Sequence, residues 1–485
     1  MKTKILIEIL LLTLGLMLRF MAFAQTNYFK HDLANMYSDI NDVEEYNGNY
    51  YFVGYVSNNV AIAENRQYNF ILYKMDDSGN IVNTMINNTD SSNYCYPRFY
   101  FNGDTILLIN GYYNEQNQIS FIDFYKYDLN FNFIQKKSYQ FVDSNRYRIS
   151  KVIKDEFNNI IVSGVKSSVT GWFMGSFLVK FTLQGDTIKT NMNYNNDIPY
   201  IFDVPSVDKY YCCAVNNYLN VINRDLIKVN QISVMDTFFS FYSSAEIIGA
   251  DSIFMIGYRI MTWGQPGYDN RRNIIFKTID YQGNTLNFYE INTPDTISYP
   301  AFEGVSYNGH DVFCSWEYNY HYINSPSKIG VGKFNKSLQP EWIKHFGKLN
   351  AQYVVSKVTT TSDGGCLVVG SYRKTSFVND DWRYFILKVN SEGLATFIKH
   401  TDIKVQVGIS IYPNPVIDEV TITLINPMQS IKDIAIFDIQ GKEVISKRIN
   451  SSQLKLDISD ISSGVYLIKG QTNTGLSFSR KFVKE

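Results

Sequence analysis

Between residues 30 and 400, apolar residues fall in short bursts, each ending on a small residue. The bursts read NYYFVG to Gly54, TILLING to Gly111, NIIVSG to Gly164 and YYCCA to Ala214. They continue as SIFMIG to Gly257, DVFCS to Ser315 and CLVVG to Gly370. Runs of this length, rich in Val, Ile, Tyr and Phe and bounded by turn residues, predict strands rather than helices. A second burst follows each first one, as in NFILYKMD, FIDFYKYD, SFLVKFT, LNVINRD, NIIFKTID, IGVGKFN and YFILKVN. Lys74, Lys126, Lys180, Lys277, Lys333 and Lys388 occupy one matching position, which Asn223 takes in the fourth unit. Turns such as DDSGN, LQGD, YQGN and SEG come next, with the Gly and Asn/Asp chemistry of tight hairpins. A third strand then follows, for example IVNTMI or LATFIKH.

A strand ahead of each unit (DINDVEEY, RISKVIKD, YVVSKVTT) makes four strands per repeat. Four-stranded antiparallel units recurring about every 50 residues predict a β-propeller of about seven blades. Six to eight blades stay open, because the fourth unit lacks both the Gly and the Lys. The small residue closing each burst is expected to let neighbouring blades approach closely. The lysine column is expected to mark a solvated strand face, or stems lying over aromatic rings. The unit resembles the loose propeller repeats of many extracellular bacterial proteins, with Asp363-Gly364-Gly365, Gly370, Lys388, Asn390 and Gly393 matching best. That resemblance implies a fold and no particular activity.

Both ends depart from the repeat. Residues 1–24 carry Lys2 and Lys4, an apolar run from Ile9 to Leu18, and Ala22-Phe23-Ala24 before Gln25. This is the layout of a secretory signal peptide cut between Ala24 and Gln25. Ten residues at about 1.5 Å each cannot cross a hydrocarbon core of about 30 Å, so the run is not expected to span a membrane. After a linker at 401–408, the chain turns to alternating strands and tight turns over 409–485, which predicts a small Ig-like β-sandwich. Tyr412-Pro413-Asn414-Pro415, Asp438-Ile439-Gln440-Gly441-Lys442, Leu456-Asp457-Ile458, Gly464-Val465-Tyr466-Leu467 and the basic Lys481 and Lys484 follow in order. These segments resemble the type A C-terminal sorting domain of type IX secretion in Bacteroidetes. The resemblance implies export through the type IX machinery, removal of the sorting domain in the linker, and release or attachment to surface lipopolysaccharide. The expected location is therefore secreted or on the outer-membrane surface.

Composition narrows the function without naming it. The chain of 485 residues has 45% hydrophobic residues, 15% aromatic residues and a net charge of −1. It has no basic field to hold nucleic acid. Cys95, Cys212, Cys213, Cys314 and Cys366 are odd in number and without C-x-x-C spacing, which fits small buried hydrophobes rather than disulfides or zinc. Metalloprotease, nucleophile-elbow, phosphate-loop and EF-hand motifs are absent, and His310 and His321 are the only histidines near one another. No cofactor and no metal are expected. The loops Asn58–Tyr68, Arg259–Asn273 and Tyr318–Lys328 are rich in Tyr, Asn, Arg and Trp. Loops on a rigid scaffold carry binding residues, which makes Trp263, Tyr268, Arg271, Arg272, Tyr320 and Tyr322 the candidate contacts. The favoured reading is a non-catalytic module that binds glycan or protein. An exported hydrolase or lyase with carboxylates at the propeller channel is the alternative, and a structural envelope component is the second.

Overall fold

A computed structural model describes residues 29–30, 37–57, 68–87, 97–114, 117–170, 172–194, 200–213, 218–234, 240–249, 251–260, 272–292, 297–319, 326–374, 382–396, 409–424, 430–473 and 477–485. The protein is all-β: a propeller followed by a small sandwich. Among the described residues, the strands from Tyr37 to Val389 form successive antiparallel sheets, called blades 1 to 7 here, each built by consecutive segments. The inner strands are Tyr37–Tyr46, Arg98–Asn102, Arg146–Lys154, Tyr200–Val204, Ser240–Ile247, Tyr299–Tyr307 and Ala351–Thr360. Blade 7 takes its inner three strands from the end of the repeat region. Its outer edge is shared: Phe29 pairs with Ile386 and Lys30 with Phe385, while Ala395 begins to pair at Val389. The segment LATFIKH was expected to supply that outer strand. Its described start pairs on that edge at Ala395, its residues from 397 onward lie outside the described residues, and Phe29–Lys30 pair further along the same edge.

The ring closes where blade 1 meets blade 7. Ile40, Phe52, Ile71 and Tyr73 share one apolar cluster with Leu367, Val369, Tyr384 and Ile386. Ser38 N donates to Trp382 O at 3.0 Å, and Tyr384 N donates to Ser38 Oγ at 3.2 Å. The remaining interfaces are likewise packed with buried Ile, Val, Phe and Tyr from adjacent blades. Such burial, at about 25 cal/mol per Å² of apolar surface, is the principal force holding the ring.

The closing glycines work differently from the sequence expectation. A Cβ on Gly54 would lie 1.9 Å from Asp39 O, one on Gly164 2.1 Å from Arg148 O, and one on Gly370 2.1 Å from Val354 O. Each obstacle is the carbonyl of the blade's own inner strand, not the neighbouring blade. The inner strand bulges opposite these glycines, between Ile40 and Asp42, Ile149 and Lys151, and Val355 and Lys357. Blade 5 bulges likewise between Tyr242 and Ser244. A bulge adds one residue and re-aims the side chains after it. Only at Gly111, where the nearest atom is Ile149 Cγ1 at 3.0 Å, does the neighbouring blade set the limit.

The lysine column also differs from expectation. Lys180, Lys277, Lys333 and Lys388 are buried. Lys388 Nζ meets Asp363 Oδ2 at 2.6 Å, Lys333 Nζ meets Asp311 Oδ2 at 3.0 Å, and Lys277 Nζ donates to Val234 O at 3.0 Å. The solvated-face reading fails at these four: Lys180, Lys333 and Lys388 turn to an aspartate in the first turn of their own blade, and Lys277 to a carbonyl of the neighbouring one. The other expectation holds at Lys74 and Lys180, which lie over Tyr51 and Tyr210.

The C-terminal domain packs a three-stranded sheet (Ile409–Tyr412, Glu419–Leu424, Gln453–Asp457) on a four-stranded one (Glu443–Ser451, Ile431–Phe437, Gly464–Thr472, Ser477–Lys484). Val420, Ile422, Ile434, Ile436, Leu456 and Phe482 form its core.

Candidate functional site

All seven inner strands contribute to one cavity of about 640 Å³ on the propeller axis. It lies toward the end where inner strands turn into second strands, since its lining runs from the bulges to the strand ends. Its wall is charged. Asp42 and Glu44 come from blade 1, Arg98 from blade 2, Lys151 from blade 3, Glu246 from blade 5, Glu303 from blade 6 and Lys357 from blade 7. Asp42, Lys151 and Lys357 are each the first residue after a bulge, so the irregularity of the strands is what carries charge to this cavity.

One side of the cavity is internally paired. Lys357 Nζ lies 2.6 Å from Asp42 Oδ1, 2.7 Å from Glu44 Oε1 and 3.6 Å from Glu303 Oε2. Arg98 Nε lies 3.3 Å from Glu303 Oε1. Asp42 also accepts from Phe99 N at 3.0 Å, which ties blade 1 to blade 2. Although burial disfavours the charged form of Glu303, Lys151, Lys357 and Arg98 together hold its carboxyl well below the usual range. The same carboxylates hold Lys357 well above the usual lysine range. Glu44 lies deep in the cavity with its side chain still 40% accessible, and burial raises its carboxyl against the pull of Lys357.

The other side is unpaired. Among the described residues, neither the Lys151 ammonium nor the Glu246 carboxylate makes a hydrogen bond or an ion pair. Burial raises Glu246; Lys151 and Lys357 pull it back, and Glu303 and Glu44 push it further up. Phe202, on the inner strand of blade 4, borders the cavity with its ring buried in the core shared by blades 4 and 5. Among the described residues no three His, Cys, Asp or Glu side chains group to hold a metal ion. His310 is on an exposed turn with Nδ1 2.6 Å from Asp311 Oδ1, and His321 lies outside the described residues.

The loops singled out in the sequence join second to third strands, so they emerge at the end of the ring opposite the cavity's strand-end mouth. Trp263, Tyr268, Arg271, Tyr320 and Tyr322 lie outside the described residues. Arg272 was read as a loop contact, but it opens the strand Arg272–Asp280, with its guanidinium 4.6 Å from the Tyr258 ring and 4.2 Å from the Tyr299 ring. Blade packing, not loop freedom, positions it. The cavity residues were missed because they lie on separate strands that only the ring brings together, among other charges of the same strands. A local signal was present: Asn41-Asp42-Val43, Ser150-Lys151-Val152 and Ser356-Lys357-Val358 repeat a small polar residue, a charge and a Val at one place in the unit.

In the C-terminal domain, the Tyr412-Pro413-Asn414-Pro415 segment runs alongside the last strand. Asn414 Oδ1 accepts from Val483 N at 2.8 Å, and Val416 N donates to Val483 O at 2.9 Å. Tyr412 is itself exposed. Asp438 Oδ1 accepts from Gln440 N and Lys442 N, holding a turn in which Gly441 takes φ +83°. Tyr466, just after Gly464, is buried and donates to Ser462 O at 2.7 Å. Lys481 is exposed on the final strand. The signal-peptide cut at Ala24 and Gln25 and the linker 401–408 lie outside the described residues.

Fold and tail together define an all-β propeller protein with an export domain. Residues 410–485 match the family described as the secretion system C-terminal sorting domain, so the chain ends in a type IX sorting tail that directs it to secretion or the cell surface. No curated protein sequence matches the chain. Among solved structures, it is similar to the β-propeller domain of the Trilobed protease from Pyrococcus furiosus, reported as having an open velcro topology. Identity there is 10% and the TM-score 0.43, covering 77% of this chain and 98% of that one. It is also similar to the Pyrococcus horikoshii acylaminoacyl peptidase, at 9% identity and a TM-score of 0.43, covering 80% of this chain and 58% of the peptidase. The chain thus spans less than two thirds of that enzyme, and at these identities the likeness is one of fold. Among the described residues no helix is long and apolar enough to cross a membrane.

Proposed function

We propose that the propeller is a non-catalytic recognition module, exported through the type IX machinery and displayed or released outside a bacterium of Bacteroidetes type. Its ligand is a glycan or a protein-derived molecule held at the axis. The observation that carries this reading is the cavity of about 640 Å³, lined by a lysine and a glutamate that make no ion pair among the described residues. Cavities of roughly 300–1,000 Å³ with a few convergent polar groups are the usual form of a ligand site. Cleavage after Ala24 and within 401–408 would free the propeller, and surface lipopolysaccharide is the partner the sorting tail implies.

The test is a glycan array and an outer-membrane-protein pull-down with the mature chain from Gln25. Saturable binding lost in Lys151→Ala places recognition at the axis. Binding lost only in Trp263→Ala with Tyr320→Ala moves it to the opposite loops. Absence of binding in every format overturns the reading. The second reading, a hydrolase or lyase, is favoured by one observation: burial raises the carboxyls of both Glu44 and Glu246 beside the cavity, as a general acid requires. Turnover of a polysaccharide or peptide that Glu246→Gln abolishes would establish it.

A further inference from the structure

Charge within the axial cavity is divided in a way that specifies its ligand. Lys357 has its donors directed to Asp42, Glu44 and Glu303, and Arg98 shares Glu303, so ion pairs span this half of the wall. Among the described residues, Lys151 and Glu246 face the same space without a hydrogen bond or an ion pair. They stand on blades 3 and 5, and Lys151 is the foremost charge drawing Glu246 toward its ionised form, although the two do not meet in a salt bridge. Both side chains are half-buried in the cavity wall and open to its space, so a ligand that brings the opposite charge to each can pair with them there.

From this we infer, resting on the recognition reading above, that the axial cavity binds a small zwitterion of amino-acid or short-peptide class, its carboxylate on Lys151 and its ammonium on Glu246. Other ligand chemistries fit less well. A phosphate or a dicarboxylate would suit Lys151 but bring a second negative charge to Glu246. A metal ion would suit Glu246 and be repelled by Lys151. A neutral sugar offers hydroxyls to both but compensates neither charge. The two groups stand on strands two blades apart, so the ligand charges belong at its two ends, as in a di- or tripeptide. The raised carboxyl of Glu246 agrees with this: its ionised form is the one a ligand ammonium would restore.

The experiment is calorimetric titration of the mature chain with dialanine and trialanine, their N-acetyl derivatives and their C-terminal amides, beside a neutral and a uronic disaccharide. The expected result is saturable binding of the free peptides, weakened about tenfold or more by either block, as loss of one charged hydrogen bond implies. Lys151→Met should erase the difference between free peptide and amide only. Glu246→Gln should erase the difference between free and acetylated peptide only. Should either variant not fold, the panel on the wild-type chain still decides. Acetylated or amidated peptides binding as tightly as free ones overturn the inference. So does a disaccharide that binds at the cavity when peptides do not, although the recognition reading then stands. No binding of any probe overturns the peptide inference, and the glycan array and pull-down then decide whether the broader reading survives.

Discussion

Replacing Lys357 by Met should destabilise the propeller in a way that identifies its cause. The Lys357 side chain is 12% exposed and those of Asp42 and Glu303 are 4% and 8%. Removing one partner of a buried ionic group costs about 3–5 kcal/mol, because the remaining charges lose compensation in a poorly solvated place. Two of the three carboxylates keep another partner: Asp42 accepts from Phe99 N and Val43 N, and Glu303 retains Arg98. The loss should therefore sit near the lower end, about 3 kcal/mol. In the variant the folded-state carboxyls titrate higher than in the wild type, so the penalty is full at pH 7.5 and shrinks as pH falls toward 4.5 and they take up protons. Urea denaturation of the mature chain at both pH values measures this. The double variant Lys357→Met/Glu303→Gln should recover part of the loss, since the two residues are in contact and their effects do not add. A loss under about 1 kcal/mol at pH 7.5, or one equal at both pH values, would refute the ionic account of this cluster.

Other expectations follow from single observations. Gly370→Ala should cost about 1–3 kcal/mol or more, because its Cβ would meet the Val354 carbonyl at 2.1 Å. Gly111→Ala meets only the movable Ile149 side chain and should cost less; equal thermal shifts would contradict the bulge account. Burial raises the Glu317 carboxyl from 4.5 to about 8, with a hydrogen bond from Val355 N only partly offsetting it. A carboxyl raised in the folded state loses stability as pH climbs from 4.5 to 8, at up to about 1.4 kcal/mol per pH unit. Glu317→Gln should therefore gain on the wild type over that window, and parallel stability curves would count against the shift. Burial pushes the Cys366 thiol up to about 12 and Cys314 well above its ordinary value. Peptide mass spectrometry after thiol labelling of the native chain at pH 8 should find both unmodified, and rapid modification of either would show the blades open locally.

The features that were legible in the sequence are those that depend on local chemistry. Strand bursts, hairpin turns and the order of units could be read because Gly, Asn and Asp must sit where the backbone turns, and Gly283 and Gly393 do so at φ +89° and +78°. The sorting domain was legible for the same reason: Asp438 and Gly441 build their own turn. What could not be read depends on which neighbour a side chain meets. A lysine between aromatics looks the same in sequence whether it faces water or, like Lys388, an aspartate in the first turn of its own blade. Arg272 was read within the loop Arg259–Asn273 because the Tyr258 and Tyr299 rings beside it come from other strands. The closing glycines were correctly marked as tight places, but the obstacle was assigned to the wrong blade.

The bulges explain why fold and site were unequally visible. Regular alternation sends successive side chains to opposite faces of a sheet, and the apolar inner strands follow it closely enough for their positions to be recognised. One inserted residue, Asn41, Ser150 or Ser356, breaks the alternation and brings Asp42, Lys151 or Lys357 to the cavity. The glycine opposite is the steric condition for that insertion, because any Cβ there would strike the bulged strand's carbonyl. Glycine, bulge and axial charge are therefore one device in blades 1, 3 and 7. Blade 5 uses it for a different purpose: Ser244 follows the bulge and accepts from Gly304 N at 3.1 Å, binding the next blade instead of facing a ligand. The same backbone irregularity thus serves the ring in one blade and the cavity in three, and the residue placed after the bulge determines which.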